Sequence, residues 1–237
     1  MKKFWGYATN GKFSVGCTGQ TVYLYDNDDN EIGKFKDIIY AYTPMISPDG
    51  RIFVVKSTDG RLAIYSLETR SLIKKFRFSK VDGAQDDGFC FSPDGKFFIN
   101  IERQKDDVHS AVSIYNTTDF LLVKQILLNE DMMLDCIEFD KATNSYYVLG
   151  WMRDVNCDSG YGFVAKFEEQ QIKNIVAISE DEFDFYRSYK NLELNGFTEK
   201  AYEWLLYIDC ELDKLKKSNY TLAQLYMQYS EWIVKEL

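Results

Sequence analysis

A nine-residue pattern occurs twice in this chain. Ile46-Ser47-Pro48-Asp49-Gly50-Arg51-Ile52-Phe53-Val54 returns as Phe91-Ser92-Pro93-Asp94-Gly95-Lys96-Phe97-Phe98-Ile99, an offset of 45 residues. Repetition at a fixed spacing restricts the fold more than composition does, because each copy must form the same small unit. The pattern encodes a turn followed by a strand. Proline fixes φ at the second turn position, and Asp-Gly supplies the positive φ that a hairpin needs. Alternating residues then follow, as a half-buried strand requires. Thr9-Asn10-Gly11-Lys12-Phe13-Ser14-Val15 is a weaker copy, and Phe139-Asp140 through Asn144-Ser145-Tyr146-Tyr147-Val148 a degenerate one.

Downstream of each copy lies a second apolar run ending in an aromatic and then a polar residue. These ends are Tyr25-Asp26, Tyr65-Ser66, Tyr115-Asn116 and Phe167-Glu168. A short polar turn and a last strand complete each unit, at Glu31–Phe35, Ser71–Phe78, Leu121–Leu128 and Gln171–Ile178. Four strands joined by tight turns in roughly 40–50 residues is the length of one propeller blade. On these residues the sequence resembles the WD40-like β-propeller repeats, with the aromatic-polar pairs standing where that family has Trp-Asp. The resemblance covers residues 1–178. It departs from the family in lacking Gly-His, and the lone histidine is His109. The buried Asp-His network of a strict repeat therefore has no counterpart.

The resemblance implies a mainly-β fold, a small propeller of about four blades, followed by a C-terminal α-helical segment. The blades fall at roughly 1–36, 37–80, 81–129 and 130–178. A closed four-bladed ring is expected; an open arc would leave sheet faces for helices to cover.

The pattern changes at Ser179. Ser179-Glu180-Asp181-Glu182 and Thr221-Leu222-Ala223-Gln224 fit capping boxes. Three helices are expected over 179–237. Phe183, Tyr186 and Tyr189 mark the first, which Asn195-Gly196 ends. Ala201, Leu205, Ile208, Leu212 and Leu215 mark the second, and Leu225, Tyr226, Tyr229, Trp232 and Ile233 the third. Their apolar stripes are expected to pack on one another and on the β domain.

A net charge of −9 repels nucleic acid and anionic membrane surfaces, and no basic stripe overrides it. No window approaches the ~20 apolar residues of a membrane span. The apolar start of the chain is broken at Thr9-Asn10-Gly11-Lys12, too early for a signal peptide. The five cysteines are widely spaced, with no Cys-x-x-Cys, so neither a disulfide framework nor a zinc site is indicated. Cys90 and Cys136 read as small buried residues. A cytoplasmic location is expected.

Motifs that carry chemistry are few. Asp26, Asp28 and Asn30 match alternate positions of a calcium loop and Asp37 its twelfth, but Glu31 sits where glycine is needed. Asp154-x-Asn156-x-Asp158 has the same spacing without the twelfth acid. Gly160-Tyr161-Gly162-Phe163-Val164-Ala165 matches a dinucleotide fingerprint, yet enters a strand where that fingerprint requires a helix. His109 and Cys157 lie in long hairpins of adjacent units, too thin a basis for a nucleophilic enzyme. No catalytic residue, cofactor or metal is expected.

Acid concentrates in the hairpins and links that would share one propeller face. Asp82, Asp86, Asp87, Asp106, Asp107, Asp154 and Asp158 lie there, with Arg153, Trp151 and Tyr161. Such a face suits a basic protein partner. The expected function is a non-catalytic protein-binding module. Alternatives are an inhibitor or immunity-type protein that neutralises a basic enzyme or toxin, an enzyme or small-ligand receptor using the central channel, and a structural subunit joined through the helical tail.

Overall fold

The structure is a computed structural model. It describes residues 2–79, 85, 88–104, 110–129, 131–153, 159–194, 196, 203–206 and 221–235. The chain is mainly β, and the described residues form four antiparallel four-stranded sheets and a C-terminal helical segment. Blade 1 holds β1 (Gly6–Thr9), β2 (Phe13–Cys17), β3 (Val22–Asp26) and β4 (Glu31–Phe35). Blade 2 holds β5 (Ala41–Ile46), β6 (Ile52–Ser57), β7 (Arg61–Ser66) and β8 (Ser71–Arg77). Blade 3 holds β9 (Phe89–Phe91), β10 (Phe97–Arg103), β11 (Ser110–Asn116) and β12 (Leu122–Leu127). Blade 4 holds β13 (Met132–Asp140), β14 (Ser145–Arg153), β15 (Gly160–Glu168) and β16 (Gln171–Ile178). Strand order follows chain order in every sheet, so each blade is a meander.

The repeated motif builds the same turn twice. Gly50 and Gly95 take φ of 65° and 68°, and each donates its N–H to the serine carbonyl at the turn start, at 2.8 Å. The aspartates cap these turns. Asp49 accepts from Ser47 Oγ and Arg51 N, and Asp94 from Ser92 Oγ and Lys96 N. The aromatic-polar pairs have an equally local cause. Tyr65, Tyr115 and Phe167 are buried between sheets, and Tyr25 is buried beside Phe4 and Trp204. The next residue faces the turn: Asp26 accepts from Asp28 N, Ser66 from Thr69 N and Asn116 from Thr118 N.

Buried clusters show which faces meet. Val15, Leu24, Phe53 and Tyr65 join blades 1 and 2. Val54, Ile64, Phe98 and Tyr115 join blades 2 and 3, and Ile99, Val112, Ile137 and Ala165 join blades 3 and 4. Gly6 lets β1 reach β5, since a Cβ there would lie 1.7 Å from the Tyr42 carbonyl oxygen.

A closed four-bladed ring would bring blade 4 against blade 1. Among the described residues, no buried cluster joins blade 4 to blade 1. The outer face of blade 4 buries Tyr147, Leu149 and Val164 against α1 (Glu180–Leu194) and α2 (Leu222–Lys235), through Phe183, Tyr186, Leu222 and Leu225. The corresponding face of blade 1 buries Tyr7, Tyr23 and Tyr25 against Phe4, Trp204 and Leu205. An apolar sheet face must be covered, and the tail covers both.

Ser179 caps α1 through its hydroxyl, which also donates to the Glu182 carboxylate, and the box at Thr221 forms with both of its bonds. Glu182 N donates to Ser179 Oγ, while Thr221 and Gln224 exchange backbone-to-side-chain bonds at 2.9 and 3.1 Å. Gly196 closes α1 with φ 75°. Leu205 departs from the expected helix: it sits in a parallel bridge to Phe4. Glu203 and Trp204 just before it are helical, while Ala201, Ile208, Leu212 and Leu215 lie outside the described residues.

Candidate functional site

The helical tail creates a cleft where it meets the inner end of blade 4. Asp135 and Met133 come from β13, Trp151 and Arg153 from β14, and Glu180, Phe183, Asp184 and Arg187 from α1; they enclose about 310 Å³. Helix α1 can lie this close because β15 has no side chain beneath it at Gly162. A Cβ there would lie 2.4 Å from that of Phe183. At Gly160 the missing side chain leaves room for the Trp151 indole. The two glycines of the dinucleotide-like pattern are thus strand positions that seat an aromatic pair, with Trp151 and Phe183 centroids 5.0 Å apart.

Charge in the cleft is mixed. Asp135 is buried and pairs with Arg187, Nε to Oδ1 at 3.1 Å. A buried carboxylate needs such a partner, since an isolated ion there would cost several kcal/mol, on the order of the desolvation penalty. Glu180 and Asp184 are exposed on α1, next to exposed Asp181. Because Asp135 engages the Arg187 charge, the exposed carboxylates of α1 outweigh Arg153, and the rim is acidic.

Of the residues singled out in sequence, Trp151 and Arg153 share this cleft. Trp151 forms a wall against Phe183 and is not presented outward as a free aromatic. Tyr161 is exposed but lies on the opposite face of blade 4, because it pairs with Met152 while Trp151 pairs with Gly162. Asp82, Asp86, Asp87, Asp106, Asp107, Asp154 and Asp158 lie outside the described residues, as do His109 and Cys157. Cys17, Cys90 and Cys136 are buried, and burial pushes the Cys17 and Cys90 thiols up.

The calcium-loop spacing at Asp26 resolves into a turn. Asp26 Oδ1 accepts from the backbone of Asp28 and Asn30, and the Asn30 amide also donates to it. Those bonds, led by the Asn30 side chain, hold the Asp26 carboxyl below its ordinary value. Among the described residues, no group of three or more His, Cys, Asp or Glu could hold a metal ion.

One polar assembly gave no signal in the sequence. Lys56 on β6 and Asn100 and Glu102 on β10 are all buried between blades 2 and 3. Lys56 Nζ donates to the Ile101 carbonyl at 2.6 Å. Glu102 accepts from Tyr115 Oη at 2.8 Å, Gln125 Nε2 at 3.0 Å and Asn100 Nδ2 at 3.2 Å. Burial raises the Glu102 carboxyl, against hydrogen bonds from Tyr115, Ser113 and Asn100 and the charge of Lys56.

No family model matches the chain, and no curated protein does. The fold is similar to a solved structure titled Kuenenia stuttgartiensis Hydrazine Synthase, with a TM-score of 0.60 at 15% identity. The match covers 74% of this chain and 53% of that one, so this chain spans about half of the protein it resembles. In all, 1184 chains of solved structures match. A likeness this distant and this widely shared shows the architecture and leaves function to the site. The class shown is a mainly-β, propeller-like fold. Among the described residues, no helix is long and apolar enough to cross a membrane.

Proposed function

We propose that this protein is a non-catalytic binding module whose cleft between α1 and blade 4 receives a basic protein partner. The observation that carries the reading is the pairing of a concave, aromatic-walled cleft with an acidic ridge. Trp151 and Phe183 supply apolar contact, and Glu180, Asp181 and Asp184 line the approach. Anchors in a desolvated pocket with charge at the rim are what protein interfaces use. The net charge of −9 adds long-range attraction for a cationic partner.

Affinity capture from cells with the wild-type chain and with a Glu180→Lys, Asp184→Lys double variant tests this. The expected result is a set of basic proteins held by wild type, weakened by salt and lost from the variant. Both substitutions are on exposed helix positions, so folding should persist, which circular dichroism checks. Recovery of the same proteins by both chains, or of acidic proteins only, would refute the reading.

A further inference from the structure

Among the described residues, each blade ends in an outer strand whose far edge is unpaired in its sheet. Such edges invite pairing with another chain unless charge guards them. Three of the four are guarded. β4 carries Glu31 and Lys34, and β8 carries Lys74, Lys75 and Arg77. β16 carries Lys173 and runs beside α2. β12 is different: Leu122, Val123 and Leu127 are 51%, 57% and 65% exposed, and Leu121 just before it is 60% exposed. Its lone charge is Lys124, which reaches sideways to the Gln170 side chain. Gln125 turns in to Glu102 and Ser113.

We propose that β12 is a self-association edge, pairing antiparallel with β12 of a second copy. The register follows from the backbone. Leu128 N–H donates to Ser110 on β11 at 3.0 Å. Antiparallel pairs alternate, so Ile126 and Lys124 also face β11, while Gln125 and Leu127 turn their N–H and C=O groups to the open edge. A two-fold axis at Gln125 sets Gln125 against its own copy, Lys124 against Ile126 and Val123 against Leu127. Every outward backbone group is then met, and the two ammonium groups avoid one another. Centring the axis on Lys124 would oppose two lysines, which disfavours that register. The fit of a segment to its own inverted copy is what an isologous interface requires.

A neighbouring groove strengthens the assignment. Phe97, Ile99, Ile114, Val123, Tyr146 and Phe167 line about 480 Å³ between blades 3 and 4, on the side that Lys124 faces. In the pairing register Ile126 of the second copy lies on that side, opposite Lys124, and brings apolar surface to the groove mouth. The contact is one strand wide, so the dimer is weak and concentration-dependent. Two chains of charge −9 repel, so salt strengthens it. That is opposite to the salt response expected for a basic partner.

Sedimentation equilibrium of the full chain over rising concentration and salt, with wild type and Leu127→Lys, is the test. Wild type should shift from monomer to dimer, more readily in high salt. Leu127→Lys, at an exposed site, should fold normally and dimerise at least about tenfold more weakly. Hydrogen exchange should slow at the Gln125 and Leu127 amides in the wild-type dimer alone. A monomer at every concentration would overturn the proposal, and so would a dimer that Leu127→Lys leaves intact.

Discussion

Lys56 reaches across from blade 2 to the Ile101 carbonyl of blade 3, 2.6 Å away, from a position with no solvent exposure. A buried ammonium is tolerated where it is hydrogen-bonded and where opposite charge is near, and Glu102 supplies that charge. Lys56→Met removes the donor and leaves the carboxyl without its cation. We expect a loss of about 1–3 kcal/mol, read from urea denaturation near neutral pH.

Glu102 gives stability a pH dependence of defined sign. Its folded pKa lies above the ordinary 4.5, so the folded chain holds the proton more tightly than the unfolded chain does. That contribution is fully present below the unfolded value and is lost as pH rises through the folded one. Urea titrations from pH 4.5 toward neutrality should show wild type losing stability relative to Glu102→Gln. Parallel profiles for the two chains would contradict this.

Asp94 behaves in the opposite sense. Hydrogen bonds from Ser92 Oγ, from Lys96 N and from the Lys96 side chain lower its carboxyl to about 2. Its contribution is present above the unfolded value and is lost as pH falls toward 2. A carbon-detected NMR titration should place its midpoint near there, and Ser92→Ala should move it up.

Two glycines should respond unequally to alanine. At Gly6 the new Cβ would meet the Tyr42 carbonyl oxygen at 1.7 Å, a backbone atom that cannot move aside. Gly6→Ala should cost at least the ~1–3 kcal/mol typical of overpacking. Gly95→Ala meets nothing within 4 Å, and its φ of 68° costs about 1 kcal/mol. Thermal denaturation of the two variants ranks them.

Phe4 fills the space between Tyr23, Tyr25 and Trp204. Phe4→Ala should cost about 3–5 kcal/mol. The loss should appear first as faster hydrogen exchange at β3 and at residues 203–206, before blades 2 and 3 respond.

The blades were legible because their signals are local. Pro-Asp-Gly encodes its own turn, and an aromatic followed by a polar residue marks a buried strand end and the turn after it. The helix caps at Ser179 and Thr221 were legible for the same reason. What escaped depends on neighbours distant in sequence. Glu102 sits in an alternating stretch and Lys56 at the end of an apolar run, places where a polar residue ordinarily faces water. In a blade both faces are covered, and only the packing of blade 2 on blade 3 makes those positions interior. Leu205 carried helical periodicity, but its bridge to Phe4 depends on a segment from the other end of the sequence. The Trp151 cleft needs α1, which nothing in β14 announces.

The bridge between Phe4 and Leu205 has a consequence for synthesis. Blade 1 is made before blades 2 to 4, yet Trp204 and Leu205, which shield its aromatic face, are made only after blade 4. Until they arrive, Tyr7, Tyr23 and Tyr25 stay uncovered, and the nascent chain presents a greasy sheet to whatever chaperones are at hand.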